Sequence, residues 1–407
     1  MSDKLFIKGT LILTLTGLVS RLMGFFYRIF LSHTIGAQGV GIYQLTLPVH
    51  AIVLAACCMG IQAAISRLCA SFTALGKEKE SRDALLLGTF LSMALCGLLS
   101  FLVYWNADFV ASALLKEPRT AVLLRILAFS FPFSALHSCV NSFYYARKTT
   151  GIPAFILLLE QTSRIGSTYV IYLILISQKK EITPVIAAGG ALFSELTATA
   201  ACMLALGLDF SRENYKPGTG LLRRILRVFF CMSKGAHRNS PSAVKYISHI
   251  QPASVKNNTA TSINALIKGI AQIAVPHSVN RLLLTLLSGI EMVLIPQRLL
   301  LSGINQTDSL SVYGIFTGMA LPLILFPATL TNSASVMLMP SVAGLQALGH
   351  EKKIRHVIRR TCENCFFFGG FCTFFFFIFG KSLGNFLFHS ETAGIYIRTL
   401  AFICPFL

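Results

Sequence analysis

Charged residues and tryptophan are scarce in this 407-residue chain. Asp, Glu, Lys and Arg make up only 13% of it, and there is a single tryptophan. A soluble domain carries about 25% charged residues, so the composition argues against a soluble protein. The 16 acidic residues are outnumbered by 35 Lys and Arg, for a formal net charge of +19. Because the basic residues cluster between apolar runs, membrane topology explains them better than nucleic acid, and we expect no nucleic-acid partner.

Motifs for catalysis and cofactors are also missing. The sequence has no Walker loop, no GxGxxG and no Ser/His/Asp ordering, which excludes a self-contained ATP-driven pump and gives no sign of an enzyme. Cys362 and Cys365 form a CxxC without a second pair, whereas a structural zinc needs about four ligands. We therefore predict no cofactor and no metal. The histidines within or near the apolar runs stand isolated in the sequence: His33, His50, His137, His277 and His389.

Long apolar runs dominate what is present, and 54% of the residues are hydrophobic. A run of about 20 apolar residues in a bilayer must satisfy its own backbone hydrogen bonds, which favours helices. The predicted fold class is therefore an all-α integral membrane protein, a polytopic helical bundle. We predict ten spans, at residues 8–32, 41–70, 84–105, 120–145, 151–177, 184–208, 271–297, 310–343, 359–380 and 392–407.

The distribution of basic residues predicts the topology and the domains. Most loop lysines and arginines lie on the same side as the N-terminus, which places that terminus in the cytoplasm. Many of them fall in one long polar segment. We predict an N-terminal lobe of six transmembrane helices (1–208), a cytoplasmic basic linker (209–270) and a C-terminal lobe of about four helices (271–407).

Three short matches in the same order relate the two lobes. Ser20-Arg21 returns as Asn280-Arg281, and Gly41-Ile42-Tyr43 has an echo in Gly314-Ile315-Phe316. The loop Ala74-Leu75-Gly76-Lys77 similarly corresponds to Ala347-Leu348-Gly349-His350. Six spans separate the copies, so both have the same orientation. This indicates a parallel repeat about an axis along the membrane normal, as in several secondary transporters.

Arginines inside the apolar runs are the first candidate site. Arg21 and Arg28 lie seven residues apart in the first span and share a helix face with Gly17 and Gly24. A charge at the bilayer centre costs roughly 2.5–3.5 kcal/mol on insertion scales, so this face should meet other helices, water or an anion. The repeat places Arg281 on the facing helix. Guanidinium groups bind phosphate oxygens bidentately, so these arginines predict a chamber for an anionic headgroup such as a lipid pyrophosphate.

Acidic residues in the spans are the second candidate site. Glu160 and Arg164 stand four residues apart, the spacing of a helical ion pair that either orients helices or belongs to a substrate or proton site. Glu195 has no local partner in the sequence, and Glu291 follows Arg281 on nearly the same face. A membrane glutamate without a partner suits proton coupling, although a neutral glutamate without a role is an equal alternative.

The run Ser20-Arg21-Leu22-Met23-Gly24-Phe25, with the echo from Gly314 to Pro322, resembles the polysaccharide-transporter branch of the multidrug/oligosaccharidyl-lipid/polysaccharide (MOP) exporter superfamily. The likeness is greatest to the stage V sporulation protein B group, relatives of the lipid II flippases. It implies a MATE-like bundle of two lobes that exports an undecaprenyl-linked oligosaccharide for wall, cortex or capsule by alternating access. Arg21 and Arg281 match the family's cavity arginines; Arg28 matches loosely, without the acidic neighbour of the flippases.

Three functions remain to be distinguished at this stage. A flippase would bind a lipid-linked pyrophosphoryl oligosaccharide through Arg21, Arg28, Arg164 and Arg281, with Glu160, Glu195 and Glu291 for ion pairing or for coupling to H⁺ or Na⁺. A multidrug/cation antiporter would need a cavity of acidic character, and an inactive membrane scaffold would need none of these residues. Membrane lipids surround the protein in each case. Since the family usually has more than ten spans, we expect the second lobe to be incomplete.

Overall fold

The computed structural model describes residues 2–147, 149–212, 263–328 and 351–406, and within these ranges nearly all of the backbone is helical. The predicted all-α fold class is confirmed there. Most of the predicted linker lies outside the described residues, as do the end of the span predicted at 310–343 and the loop match at 347–350.

The main helices of the described ranges are numbered here in chain order. They are α1 (Ser2–Leu54), α2 (Gly60–Ala74), α3 (Glu78–Trp105), α4 (Thr120–Ala128), α5 (Phe131–Ala146), α6 (Gly151–Ser177), α7 (Val185–Arg212), α8 (Ile263–Leu301), α9 (Gln306–Gly314), α10 (Glu351–Phe388) and α11 (Glu391–Leu400). Short helical pieces join some of them: Ala55–Met59, Ala107–Phe109, Val110–Leu114, Ile315–Ala320, Leu321–Ile324 and Ala401–Phe406.

A bend at Gly36 divides the first predicted span from the second. The helical run Ile12–Ala74 is 63 residues long, about three times what one crossing requires. Gly36 has φ 67° and ψ 174°, a backbone conformation that glycine adopts without a Cβ penalty. The sequence predicts two spans with a loop between them. The structure has instead a nearly continuous helix that changes direction at one residue.

Fewer helices than ten meet the length and apolarity of a membrane span. Among the described residues five do, or six if α4 and α5, which meet at 46°, form one broken span. That bend falls within the single span predicted at 120–145. Helix α6 has the length, at 27 residues, but its centre carries Glu160, Gln161 and Arg164, which lower its mean hydropathy. The tenth predicted span corresponds to the short α11 and a 3₁₀ turn.

Two apolar clusters hold most of the core. One joins α2, α3, α5 and α7 of the N-terminal lobe with the first half of α8 and includes Ile65, Leu85 and Phe143. The other packs Tyr27 and Leu31 of α1 against helices of the C-terminal lobe. The first helix therefore belongs to the contact between the lobes as well as to its own lobe.

Small residues let the two lobes approach closely. A Cβ on Gly41 of α1 would overlap the backbone carbonyl of Leu310 in α9, and one on Gly314 would overlap the carbonyl of Ala37. Glycine-to-glycine contact of this kind is a common way for membrane helices to pack, because it brings the backbones together. This contact fixes the lobes against each other at the end of the bundle where α1 bends.

Candidate site between the lobes

The first-helix arginines lie on a face that is open in the structure. Arg21 is exposed and Arg28 is half-buried. An ideal Cβ built on Gly17 or Gly24 would have no neighbouring atom within 4 Å, so space adjoins this face on either side of Arg21. The predicted face of glycines and arginines is thus present, and it is not covered by another described helix.

Glu160 and Arg164 form the ion pair that their spacing predicts. The Nη2 of Arg164 lies 2.6 Å from Oε1 of Glu160, and its Nε donates to Oγ of Ser194 on α7 over 3.3 Å. The Glu160 side chain is 15% exposed and the Arg164 side chain is 25% exposed, so the pair is partly accessible. A pair that keeps this access can exchange partners with an arriving anion.

His137 on α5 and Glu195 on α7 have no partner nearby in the sequence, but the structure brings them together. The imidazole Nδ1 lies 3.1 Å from Oε2 of Glu195, at ion-pair distance but without hydrogen-bond alignment. Its Nε2 lies 4.0 Å from Oε2 of Glu160. Sequence reasoning missed this because the three residues come from three helices. The available signal was a histidine inside an apolar span, which favours a functional role.

Tyr43 of α1 relates the Glu160–Arg164 pair to the arginines of the first helix. It interacts electrostatically with both Arg28 and Arg164. Beside it, the hydroxyls of Tyr27 and Thr168 are 3.1 Å apart and hydrogen-bonded. Thr168 is one helical turn after Arg164, and Tyr27 precedes Arg28. The structure therefore brings two of the four predicted arginines into one neighbourhood.

Gly190 makes the close approach of α6 and α7 possible. A Cβ on Gly190 would collide with Oγ1 of Thr168. The chain after Gly190 then carries Ser194 and Glu195 to the level of Arg164. The carboxylate and guanidinium cluster thus depends on a position where a side chain would not fit.

The C-terminal lobe contributes Arg281 and Glu291, both on α8 and both exposed. Among the described residues the structure does not join Arg281 and Glu291 by an ion pair. Their participation in one anion chamber remains a prediction from the repeat.

The sequence matches a family model described as "polysaccharide biosynthesis protein" over residues 6–346. The chain belongs to this family. It is similar to stage V sporulation protein B of Bacillus subtilis (strain 168), with 25% identity over 405 residues, which is 98% of this chain and 70% of the relative. It is also 26% identical to the lipid II flippase MurJ of the same organism over 173 residues, covering 40% of this chain and 32% of the flippase.

The fold of this family member is that of solved MATE transporters. A crystal structure of a Vibrio cholerae MATE transporter superposes with a TM-score of 0.61 at 14% identity, over 99% of this chain and 79% of that one. The family match confirms the resemblance to the polysaccharide-transporter branch of the MOP superfamily, and the superposition confirms the MATE-like helical bundle. The chain is a multi-pass membrane protein whose relatives include a lipid II flippase, and it is a transporter rather than an enzyme.

Proposed function

We propose that this protein moves an undecaprenyl-linked oligosaccharide, lipid II or a related precursor of cell wall, spore cortex or capsule, across a bacterial cell membrane by alternating access. The observation that carries the proposal is the open face of α1 bearing Arg21, in a chain similar over nearly its whole length to stage V sporulation protein B. A positive face inside a membrane suits a pyrophosphate headgroup.

The arginines have the chemistry that this cargo needs. Guanidinium groups stay charged at any physiological pH and bind phosphate oxygens through two parallel hydrogen bonds. The hydrogen bond between Tyr27, the residue before Arg28, and Thr168, one turn after Arg164, brings the helices of these two arginines together. We place Arg21 and Arg281 on opposite walls of the path, with the N-terminus in the cytoplasm.

A multidrug/cation antiporter is the weaker alternative, although MATE transporters share the fold. Such a transporter needs carboxylates that a cationic drug can reach. Glu160 is already paired with Arg164, and Glu195 with His137. Each carboxylate of this cluster therefore already lies beside a partner, while Arg21 faces open space.

Complementation tests the proposal against both the antiporter and an inactive scaffold. The chain would be expressed in bacteria depleted of their lipid II flippase, together with Arg21→Ala, Arg281→Ala and the control Arg298→Ala. Arg298 is exposed on the same helix as Arg281, near its end, where a long side chain reaches the headgroups. We expect growth with the unaltered chain and the control but not with the other two. Absence of growth with the unaltered chain contradicts the flippase function.

A further inference from the structure

We propose that Arg164 is an exchangeable ligand for the phosphate groups of the substrate. Glu160 holds it in the resting protein, and uptake of one proton by the cluster of Glu160, His137 and Glu195 releases it. The proposal rests on the proposed function, since it requires an anionic substrate, and it adds a proton site that includes His137.

The charge of the cluster favours the uptake of a single proton. Together with Arg164, the cluster contains two carboxylates, one guanidinium and one neutral imidazole, which sum to a charge of −1. Uncompensated charge is costly in a low-dielectric interior, where the side chains of His137 and Glu195 are only 11% and 8% exposed. One proton makes the cluster neutral, whereas a second would leave it with a net positive charge.

Exposure increases along the cluster toward Arg164. Glu195 and His137 lie deepest, Glu160 is 15% exposed and Arg164 is 25% exposed. Glu160 lies beside both His137 and Arg164. It therefore joins the buried end of the cluster, where the proton is held, to the accessible arginine. Protonation at one end can thus be transmitted to a phosphate at the other.

His137 is placed to pass the proton between the two carboxylates. Its two ring nitrogens face Glu195 and Glu160 at 3.1 Å and 4.0 Å. Neither Nδ1 of His137 nor Oε2 of Glu195 makes an aligned hydrogen bond with any described group. An imidazole that can accept at one nitrogen while it donates from the other is the usual protein group for such a transfer.

The remaining titratable and charged groups around the cluster come from two helices, α1 and α7, and one turn. They do not offer a second carboxylate pair, and within the described residues they are Tyr27, Arg28, Tyr43 and His50 of α1, Cys58 of the turn Ala55–Met59, and Cys202 of α7. His50 stacks on the ring of Phe131 at 5.2 Å and interacts electrostatically with Glu195. The exchange therefore centres on Glu160.

The proton that is taken up in the exchange is released again at its end, and Arg164 has a negatively charged partner before and after it. A proton from cavity water binds the cluster and, through His137, reaches the carboxylate of Glu160. The carboxylic acid that results no longer pairs with Arg164, whose guanidinium turns to the phosphate oxygens. When the substrate leaves, Arg164 returns to Glu160, and the proton is released to water. Substrate binding and proton uptake are thus linked, and each strengthens the other by the same factor.

Calorimetry on the purified full chain tests this linkage with undecaprenyl pyrophosphate as the probe. Titrations at one pH in buffers of different ionisation enthalpy count the protons taken up per ligand bound. For the unaltered protein we expect about one proton between about pH 6 and pH 8, and a Kd that rises up to about tenfold per pH unit as the pH increases. Binding without proton uptake overturns the proposal but leaves the proposed function standing.

Three variants and one control sharpen the result. Glu160→Gln should bind the probe without proton uptake, with a Kd near pH 8 close to that of the unaltered protein at low pH. Arg164→Ala should bind more weakly at every pH, and His137→Gln should take up less proton. His277→Gln, on α8 and without an ion pair to the cluster, should behave as the unaltered protein. Glu160→Gln with unchanged pH dependence or weaker binding contradicts the exchange.

Two further outcomes are also decisive. If Glu160→Gln does not fold, the proton count of the unaltered protein and of His137→Gln decides the question. If the unaltered protein does not bind undecaprenyl pyrophosphate at all, the proposed function fails and the exchange fails with it.

Discussion

Gln306 of the C-terminal lobe donates a side-chain hydrogen bond to the carboxylate of Glu117 in the N-terminal lobe, over 2.9 Å. Glu117 is only 2% exposed and also accepts from Nε of Arg119 at 2.5 Å. Arg119 in turn donates to the side-chain oxygen of Gln38, just after the bend in α1. These contacts of Gln306, Glu117, Arg119 and Gln38, here called the polar latch, join both lobes and α1 at the end of the bundle where α1 bends. Under the alternating access proposed above, such a contact would open in one state and close in the other.

Gln306→Ala should shift the lobes toward separation at this end. Loss of a hydrogen bond to a buried carboxylate costs about 1–3 kcal/mol, which changes the closed-to-open ratio by roughly 5- to 150-fold. Spin labels at the exposed positions Ala113 and Thr307 report the distance between the lobes. We expect a new longer distance in Gln306→Ala and none in Asn305→Ala, whose exposed side chain makes no capping bond. Equal distance distributions in the two variants would show that the latch does not hold the lobes.

Gly41→Leu should abolish transport while the protein still reaches the membrane. The new side chain would meet the backbone carbonyl of Leu310, which cannot move aside as a flexible side chain could. Gly97→Leu is the matched control, because a Cβ there has no neighbour within 4 Å. Complementation growth and membrane abundance are the measurements. Full activity of Gly41→Leu would mean that the close contact between α1 and α9 is unnecessary.

Gly190→Val should lower the thermal stability of the N-terminal lobe. Overpacking at a tight contact costs typically about 1–3 kcal/mol, and this position faces the Thr168 hydroxyl directly. Gly166→Val, on the open side of α6, serves as the control. Thermal unfolding of the purified proteins should give a lower midpoint for Gly190→Val only. If the unfolding midpoint fell equally in both variants, the cause would be the replacement of a helical glycine and not the contact with Thr168.

The sequence predicts features that depend on neighbours along a helix, and it fails for those that depend on packing. The Glu160–Arg164 pair was predictable because residues four apart meet on one helix face. The His137–Glu195 contact was not, since it joins two helices whose relative rotation has no local signal. The bend at Gly36 was hidden for a different reason: apolar residues continue on both sides of it, so the pattern gives two spans but not their junction.

The candidate site shows the same division. The face of Gly17, Arg21 and Gly24 follows from helical periodicity, and the structure leaves it open. The opposing position of Arg281 follows only from the repeat, which relates the lobes by symmetry and fixes no distance between their side chains.

Translocation by the reconstituted protein tests the central claim most directly. Proteoliposomes would hold the unaltered chain, the double variant Arg21→Ala/Arg281→Ala or the control Arg298→Ala, with fluorescent lipid II in the membrane. Quenching by a membrane-impermeant reductant would measure its movement between leaflets. The account predicts movement in the unaltered protein and the control, and a reduction of at least about tenfold in the double variant, as expected for the loss of charge-assisted phosphate contacts. Equal movement in all three would contradict an arginine-lined path for an anionic headgroup.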